Sequence, residues 1–485
     1  GEIYNHLEVR QELERTSQLQ QPWRGHSDTE TLLAAIEAWG LEAALQRCVG
    51  MFALALWDRH EYCLQLARDR FGEKPLYWGL SGSGSEHALL FGSELAALRT
   101  LRGFANPIHR PALAQLLRFG AIAAPTSIYA GIQQLLPGHF VTIQEPLTAG
   151  LPKSQPWWCF RSQLAESLYQ PFTDPGAGLE ALEAALSTAV QQQSLSDVPL
   201  GSFLSGGIDS SLITALLQAQ SSRPVRTFTI GFEEAGFNEA HYARAVASHL
   251  GTDHSETILT AADAQALIPQ LPRLYCEPFA DASQLPTHLV CREARRSGLT
   301  VALGGDGGDE LFGGYNRYLW GPRIWNRLAW LPWPLRRRLG LLIRSLPPGG
   351  WDALGRPLPI HQLGHKAHKL ADRLQHVRSA DDLYRSLVSE WRDPAALLQP
   401  DADGSPVQEP SSPLDWALPA GLSGDAVARM MATDTLNYLP NDILTKVDRA
   451  AMAASLETRA PFLDHRVAEL AWRLPMAMKI HPGPG

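Results

Sequence analysis

The sequence has few cysteines, and none of them forms a metal-binding pattern. Its 485 residues include five, Cys48, Cys63, Cys159, Cys276 and Cys291, and no two are spaced as CxxC. Scattered cysteines in an odd number argue against a disulfide framework and against a zinc site. They predict reduced thiols and a cytoplasmic location.

Long apolar runs and an excess of positive charge are also lacking. No uninterrupted apolar run reaches the roughly 18–20 residues of a membrane span. Lys and Arg total 42 against 50 Asp and Glu, which gives a net charge of −8. A protein that coats nucleic acid needs the opposite sign. We therefore expect neither a membrane nor a nucleic acid as a partner.

The length and composition indicate a globular protein of two or three domains. Hydrophobic residues make up 45% of the chain and charged residues 19%, which supplies ample core material. The chain begins at Gly1 without a methionine or a signal-like segment and stops at Gly485 after a helix-like stretch. We expect both ends to be cut, with part of the chemistry outside the chain.

Three blocks follow one another along the chain. In residues 1–143, β-like runs at 51–57, 62–67 and 88–91 accompany a helix at 29–39, which Ser27 or Asp28 caps. Residues 144–178 are rich in Pro, Gly, Ser and Gln, which predicts a linker or a domain-crossing loop. From 179 onward, strands at 198–204, 225–230 and 299–303 alternate with helices, which predicts a parallel α/β sheet with helices on both faces. After Tyr318 the pattern is helical.

Residues 320–348 hold four tryptophans and six arginines with no acidic residue. One interpretation is a helix that binds a membrane surface or nucleic acid. We favour a helical pair with its tryptophans packed inward and its arginines in solvent, because Pro322, Pro332 and Pro334 interrupt the stretch.

The most specific motif is LSGGIDSS at residues 204–211, between a predicted strand and a predicted helix. Backbone N–H groups at such a junction hold anions well. Gly206 and Gly207 let the backbone approach a phosphate and form a concave nest around it. Asp209 is placed to hold Mg²⁺ against the phosphates. The loop also offers three serine hydroxyls, from Ser205, Ser210 and Ser211. No GK[ST] follows, so this is not a Walker A loop.

A second glycine-rich loop, LGGDGGDELFGGY at residues 303–315, follows another predicted strand. Loops after parallel strands meet at the carboxyl edge of the sheet. Residues 205–211, 230–231 and 304–310 are therefore expected in one crevice. Asp306, Asp309 and Glu310 would join Asp209 there, and clustered carboxylates repel one another unless a cation or a proton lies between them.

At these motifs the sequence resembles the ATP-pyrophosphatase family, and within it the glutamine-hydrolysing asparagine synthetases. The resemblance covers nearly the whole chain. Besides the two loops, it rests on GEIYNH at 1–6, SDTE at 27–30, GMFA at 50–53, ARDRFGEKPLY at 67–77, FGSE at 91–94, LPGH at 136–139 and VDRAAMAASLETRAPFLD at 447–464.

The resemblance implies both architecture and reaction. Residues 1–143 would form an Ntn-hydrolase-like glutaminase domain, a pair of β-sheets between helices. Residues 179–485, after a linker at 144–178, would form a doubly wound parallel-sheet synthetase domain with a helical C-terminal part. Glutamine would release ammonia into an internal tunnel, MgATP would adenylate the side-chain carboxylate of aspartate, and ammonia would displace AMP. The expected cofactors are ATP and Mg²⁺, the partners are small molecules, and a homodimer is one assembly that the family allows.

The resemblance also assigns roles to individual residues. In the first domain, Gly1 would supply an oxyanion-hole N–H, while Glu2 and Asp28 would bind the amino group of glutamine. In the second domain, Asp306 would assist proton transfer from ammonia, and Asp209 and Asp309 would hold Mg²⁺. The implied ATP site comprises Leu204 and Ile230 beside adenine, the pyrophosphate loop of Ser205, Gly206, Gly207, Asp209, Ser210 and Ser211, and the lining residues Gly304 and Gly305. Two alternatives stay open: Asp28 only caps a helix, and Asp306 only ligates metal or shapes its loop.

Several family features are absent from the chain. The family's N-terminal cysteine nucleophile, its glutamine-binding arginine, the asparagine before Gly1 and a late catalytic lysine would all lie beyond the ends. We therefore expect no glutamine hydrolysis by this chain as it stands. Segments 277–281 and 283–286 fall where aspartate binds in the family. The candidate cations for the α-carboxylate of aspartate are Arg292, Lys446, Arg449 and Arg459.

Two rival interpretations remain at this point. A relative could amidate another carboxylate, such as a sugar acid or a peptide, or close a β-lactam. A non-catalytic paralogue would bind nucleotide and regulate, but both glycine loops are intact, which argues against it.

Overall fold

The computed structural model describes residues 1–82, 88–144, 151–233, 239–354, 363–401 and 403–480. Part of the predicted linker, 145–150, and the last five residues lie outside these ranges. Within them, no helix is both long enough and apolar enough to cross a bilayer.

The N-terminal part is built from antiparallel strands between helices. Its sheets have the orders β1–β2, β3–β4–β8–β9 and β6–β5–β7. The strands are β1 (Glu2–Ile3), β2 (Gly50–Met51), β3 (Ala53–Asp58), β4 (Cys63–Arg68), β5 (Tyr77–Ser81), β6 (Ala88–Gly92), β7 (Ile132–Gln134), β8 (His139–Gln144) and β9 (Gln155–Pro156). The helices are α1 (His6–Arg15), α2 (Asp28–Trp39), α3 (Leu41–Arg47), α4 (Leu95–Leu98), α5 (Arg110–Phe119) and α6 (Phe160–Tyr169).

Local chemistry explains these elements. The side chain of Ser27 caps α2, because its Oγ accepts a hydrogen bond from the N–H of Glu30 at 3.2 Å. The four- and three-stranded sheets share a buried core that includes Leu66, Trp78 and Val141. The predicted strands at 51–57, 62–67 and 88–91 correspond to β2–β3, β4 and β6, so the mixed α/β and α+β fold class is confirmed.

The C-terminal part contains a five-stranded parallel sheet of order β12–β11–β10–β13–β14. Its strands are β10 (Leu200–Phe203), β11 (Arg226–Phe232), β12 (Asp253–Leu259), β13 (Val301–Leu303) and β14 (Glu457–Arg459). The helices are α7 (Pro175–Gln193), α8 (Ile208–Gln220), α9 (Ala240–Leu250), α10 (Ala261–Leu267), α11 (Leu271–Leu274), α12 (Gln284–Arg296), α13 (Gly308–Phe312), α14 (Asn316–Ala329), α15 (Trp333–Ser345), α16 (Pro348–Leu354), α17 (Leu363–His376), α18 (Ala380–Leu387), α19 (Ala426–Thr433), a π-helical segment (Asp434–Ile443), α20 (Leu444–Ala453), α21 (His465–Arg473) and α22 (Met476–Lys479).

The sequence patterns missed both outer strands of this sheet. The edge strand β12 begins with five polar residues and ends with two apolar ones, and β14 has only three residues, all of them polar. Neither resembles the apolar runs of buried strands such as β13. The chain returns to the sheet after the helical region, where β14 pairs with β13, for example Arg459 with Leu303. This pairing is a tertiary contact that the local sequence does not reveal.

The predicted linker at 144–178 is more ordered than its composition indicates. It contains α6 and the start of α7. Trp157, Phe160 and Leu164 are buried in the cores of the two parts. Its prolines, serines and glutamines therefore surround a packed helix, and the limits of the linker stay a prediction.

Residues 320–348 form the favoured helical pair, α14 and α15, but their tryptophans do not all face inward. Trp320 and Trp330 are 56% and 78% exposed. Trp333 lies instead beneath the guanidinium of Arg378, with 4.1 Å from the guanidinium carbon to the ring centroid.

A buried carboxyl group joins the two parts. Oε1 of Glu277 accepts hydrogen bonds from the hydroxyl of Tyr77 at 2.7 Å and the amide of Gln134 at 3.1 Å, and its Oε2 accepts from the N–H of Ile128 at 3.0 Å. Burial raises the pKa of Glu277 to about 7. Nearby, Lys74 forms an ion pair of 3.1 Å with Asp448 across the same boundary.

Candidate functional site

A crevice of about 390 Å³ opens beyond the carboxyl ends of β10 and β13. These neighbouring strands lead into the two glycine-rich loops, the arrangement in which open parallel sheets bind ligands. The residues that line it are Phe203, Ser205, Asp209, Ser210, Ile230, Ser283, Pro286, Thr287, Val290, Cys291, Gly304, Gly305, Asp306, Lys446 and Val447.

The first loop is held by its own serines. The hydroxyls of Ser205 and Ser210 lie 2.9 Å apart, and Ser205 Oγ accepts from the N–H of Gly207 at 3.2 Å. Gly206 has a φ of +82°, and a side chain there would lie 2.6 Å from the backbone nitrogen of Ala243. Ser211 Oγ is buried and has no hydrogen-bond partner among the described residues. Contacts within the loop and the glycine at 206 thus fix its conformation, while the hydroxyl of Ser211 stays unpaired among the described residues.

Glycines in the second loop let it touch the first. A side chain at Gly305 would lie 2.9 Å from the N–H nitrogen of Ser210, and one at Gly308 would lie 2.5 Å from the carboxyl carbon of Asp209. Burial, followed by the charges of Asp309 and Asp306, raises the pKa of Asp209 from 3.8 to about 6. The loops therefore concentrate negative charge that a cation would relieve.

The charge of this cluster fits a bound cation that shares ligands with phosphate. Among the described residues, no group of three or more His, Cys, Asp or Glu side chains is arranged to hold a metal by itself. Mg²⁺ commonly uses one or two carboxylates and completes its shell with water and substrate phosphates. Asp209 and Asp309 beside an anion-binding loop match that pattern.

The structure does not bring every expected ATP-site side chain into the crevice lining. Ile230 lines it, but the side chain of Leu204 is buried with Ala243 and Ala247. Gly206, Gly207, Ser211 and Asp309 lie around the lining rather than in it.

Of the four cations considered for a substrate carboxylate, Lys446 lines the crevice. Its Nζ lies 2.7 Å from both Asp281 Oδ2 and Ser283 Oγ. Burial would raise the pKa of Asp281, but the ion pair with Lys446 outweighs it and lowers that pKa to about 2. Asp442, which no motif singled out, faces the same group, and burial and the charge of Asp281 raise its pKa to about 8.

The other three cations have different surroundings. Arg292 pairs with its neighbour Glu293 at 3.2 Å. Arg449 donates to the backbone carbonyl of Ser93 in the N-terminal part. Arg459 donates to the carbonyls of Gln193 and Leu195, both at 2.8 Å.

The residues predicted to bind glutamine are also neighbours. Glu2 pairs in β1 with Met51, and the next residue, Ile3, donates its N–H to Asp28 Oδ2 at 2.9 Å. Ser27 is the helix cap, so Asp28 is not the capping residue, although its Oδ1 accepts from the N–H of Thr29 at 2.6 Å. A side chain on Gly1 would collide with the carbonyl of Met51 at 2.5 Å.

Arg459 connects this group to the crevice. Its Nη2 lies 3.4 Å from Glu2 Oε1, and its backbone carbonyl accepts from the N–H of Gly304 at 2.8 Å. One residue of β14 therefore contacts both predicted sites.

Comparison with known proteins agrees with the two-part arrangement. A family model described as asparagine synthase matches residues 181–485, and one described as a glutamine amidotransferase domain matches residues 1–158. The chain belongs to the asparagine synthase family. A Mycobacterium tuberculosis protein named putative asparagine synthetase [glutamine-hydrolyzing] is 36% identical over 99% of the chain and 69% of its own length. Asparagine synthetase [glutamine-hydrolyzing] 1 of Bacillus subtilis is 31% identical over the whole chain and 70% of its own length.

Proposed function

We propose that this member of the asparagine synthase family is a carbon–nitrogen ligase that makes asparagine from aspartate, using ATP and ammonia released from glutamine. The observation that carries the proposal is the meeting of the two glycine loops at the ends of β10 and β13, with Asp209 packed against Gly305 and Gly308. The amidotransferase match over residues 1–158 supports glutamine as the nitrogen donor.

In the proposed reaction, the first loop binds the pyrophosphate of ATP through its N–H groups and serine hydroxyls. Asp209 and Asp309 would hold Mg²⁺, which neutralises charge on the departing pyrophosphate. Asp306 is buried, and that burial raises its pKa, while the charge of Lys446 acts in the opposite direction. A carboxylate at this position accepts a proton from ammonia as the carbon–nitrogen bond forms.

Lys446 is proposed to bind a carboxylate of aspartate. It lines the crevice beside Asp306, and its partners Asp281 and Ser283 fix the position of its Nζ. An acidic substrate would be attracted to this cation, while Asp281 and Asp442 would face the substrate's amino group.

The substrate assignment is tested by ATP–pyrophosphate exchange with the intact protein. We expect exchange to depend on aspartate, with glutamate about tenfold or more weaker, because the extra methylene misplaces the reacting carboxylate. The panel includes a sugar acid, a carboxylated peptide and a β-amino acid. Exchange driven by one of these and not by aspartate would establish the rival amidotransferase instead.

Charge removal at Asp28 tests the glutamine site. We expect Asp28→Asn to raise the glutamine KM of the intact enzyme by roughly ten- to hundredfold, the cost of losing one charged hydrogen bond. Ammonia-driven synthesis should stay unchanged, since that half of the reaction lies in the other part. The matched control is Glu37→Gln on the exposed face of the same helix. Equal losses with glutamine and with ammonia would show that Asp28 is structural.

Three further expectations stay predictions. They are Mg²⁺ as the required cation, a homodimeric assembly and a cytoplasmic location. The domain limits of 1–143 and 179–485 are proposed as well.

A further inference from the structure

A cavity of about 660 Å³ lies among the C-terminal helices, and none of the described residues that line it also lines the crevice. Its wall is formed by one face of α17, by α18 and the segment after it, and by Arg118 of α5. Pockets that bind small molecules typically measure roughly 300–1,000 Å³. We call it the basic cavity, because its described lining includes five Lys and Arg side chains and three histidines against three carboxylates.

The basic cavity lies in a strongly basic part of the chain. Residues 320–378, which span most of α14 and all of α15 to α17, carry eleven Lys and Arg against two acidic residues, although the whole chain has a net charge of −8. Charge of one sign around a concave surface raises the local concentration of ions of the opposite sign. The charge distribution therefore favours an anionic ligand.

One row of basic side chains runs along α17. His365, Lys369, Arg373 and His376 all line the cavity, and residues three or four apart lie side by side on a helix surface. The side chains of Lys369 and Arg373 have no hydrogen-bond or ion-pair partner in the described part of the chain. Neighbouring like charges destabilise a helix, so an anion bound between them would relieve their repulsion.

The remaining charges of the lining are largely engaged with one another or with the backbone. Three arginines each form an ion pair with a carboxylate, namely Arg118, Arg385 and Arg392. Asp372, the partner of Arg392 at 3.1 Å, also lies 3.3 Å from His376. Asp382 accepts from two backbone N–H groups before α18, at 3.0 and 3.1 Å. Lys369 and Arg373 are therefore the cations left for a ligand.

A buried hydroxyl also lacks a partner at this cavity. Ser389 lines it, and the Oγ of Ser389 is buried without a hydrogen-bond partner among the described residues. Buried polar groups are rarely left unpaired. The described lining contains no Phe, Tyr or Trp, and its only aliphatic side chains are Val377 and Leu387. The wall thus suits a ligand that is charged throughout and not one with a large aromatic ring.

We propose that the basic cavity binds a small polyanion with two or more phosphate groups, held by Lys369, Arg373 and the hydroxyl of Ser389. A guanidinium binds two phosphate oxygens at once, and an ammonium adds a compact positive charge. The volume leaves room for more than one phosphate group. The proposal does not rest on the proposed function, because no residue of the crevice takes part.

The first test is a crystal structure of the intact protein soaked with inorganic pyrophosphate. We expect density for pyrophosphate in the basic cavity, within hydrogen-bond distance of Lys369 Nζ and the guanidinium of Arg373. The double variant Lys369→Gln/Arg373→Gln removes side chains without described partners and should show no density there. An empty native cavity, or density that persists in the variant, would overturn the site.

The second test measures the Kd of pyrophosphate by titration calorimetry. We expect Lys369→Gln/Arg373→Gln to raise this Kd by roughly ten- to hundredfold, the effect of losing charged hydrogen bonds. The matched control, Arg338→Gln/Lys366→Gln, removes one Arg and one Lys from the exposed surfaces of α15 and α17 outside the cavity, and should change the Kd less than twofold. Pyrophosphate bound in the crevice is common to all three proteins, so the difference between them reports the cavity.

Further anions test the class of ligand. Inorganic phosphate and citrate should each bind the native protein about tenfold or more weakly than pyrophosphate. Equal affinity for phosphate would overturn the requirement for two phosphate groups, and equal affinity for citrate would overturn the preference for phosphate over carboxylate. Equal weakening in the matched control would reduce the effect to general charge attraction. Density in the crystal without measurable heat in solution would mean binding at crystal concentration only, and would overturn the proposal.

Discussion

Replacing Asp209 with asparagine is expected to abolish ATP-dependent chemistry while leaving the fold intact. The change keeps the size of the side chain against Gly305 and Gly308 but removes the charge proposed to hold Mg²⁺. Loss of such electrostatic stabilisation costs roughly 10²–10³-fold in rate. The measurement is ATP–pyrophosphate exchange with aspartate in the intact protein. Asp253→Asn, an exposed carboxylate on the edge strand β12, is the matched control and should keep full activity.

The same variant should be at least as stable as the native protein at neutral pH. Burial and two neighbouring carboxylates raise the pKa of Asp209 in the folded state from 3.8 to about 6. The folded protein therefore binds a proton more readily than the unfolded chain, so native stability falls as the pH rises from about 4 to 6. The Tm gain of Asp209→Asn should be near zero below pH 4 and fully developed above pH 6. A lower Tm at pH 8, or exchange near the native rate, would contradict the proposed role of Asp209.

The largest expected loss of stability comes from Asp434→Ala. This carboxylate is fully buried and accepts hydrogen bonds from Arg317 Nε at 2.8 Å and from the hydroxyls of Tyr318 at 2.5 Å and Tyr384 at 2.7 Å. Removing it leaves a largely buried guanidinium without its carboxylate partner. Such a loss costs about 3–5 kcal/mol in the free energy of unfolding. The free energy of unfolding is measured by urea denaturation, with circular dichroism as the signal.

The control for Asp434 is another Arg–Asp pair in the same helical region. Asp381 contacts Arg429 at 2.9 Å, but its side chain is 66% exposed. We expect Asp381→Ala to change the free energy of unfolding by less than about 1 kcal/mol. If the two variants lost similar amounts of unfolding free energy, burial would not explain the contribution of Asp434 to stability.

The motifs predicted the crevice well because they are local. The spacing of glycines, serines and carboxylates in 204–211 and 303–315 reflects the backbone of a single loop after a strand. The parallel sheet then brings two such loops together by topology alone. The convergence of Asp209, Gly305 and Asp306 in one crevice is therefore predictable from the sequence.

Features that depend on distant contacts were not predictable in this way. Tyr4, Arg70 and Gln193 come from three separate segments and line one small cavity between the two parts, and no local pattern marks their unpaired polar atoms. Asp442 acquires its unusual pKa from burial and from Asp281, far away in the sequence. The helix α6 was missed because it is short and stands among Pro, Ser and Gln residues, although Phe160, Leu164 and Leu168 recur at helical spacing.

The double contact of Arg459 has a thermodynamic consequence. Its side chain reaches Glu2 while its carbonyl accepts from the N–H of Gly304. At the proposed sites, a ligand that draws Glu2 away from the guanidinium would change the restraint on that strand end, and with it the affinity of the neighbouring loop for nucleotide. Because linkage is reciprocal, nucleotide binding would then alter glutamine affinity by the same factor. Through Arg459, ligand binding at one proposed site would thus change the affinity of the other site for its own ligand.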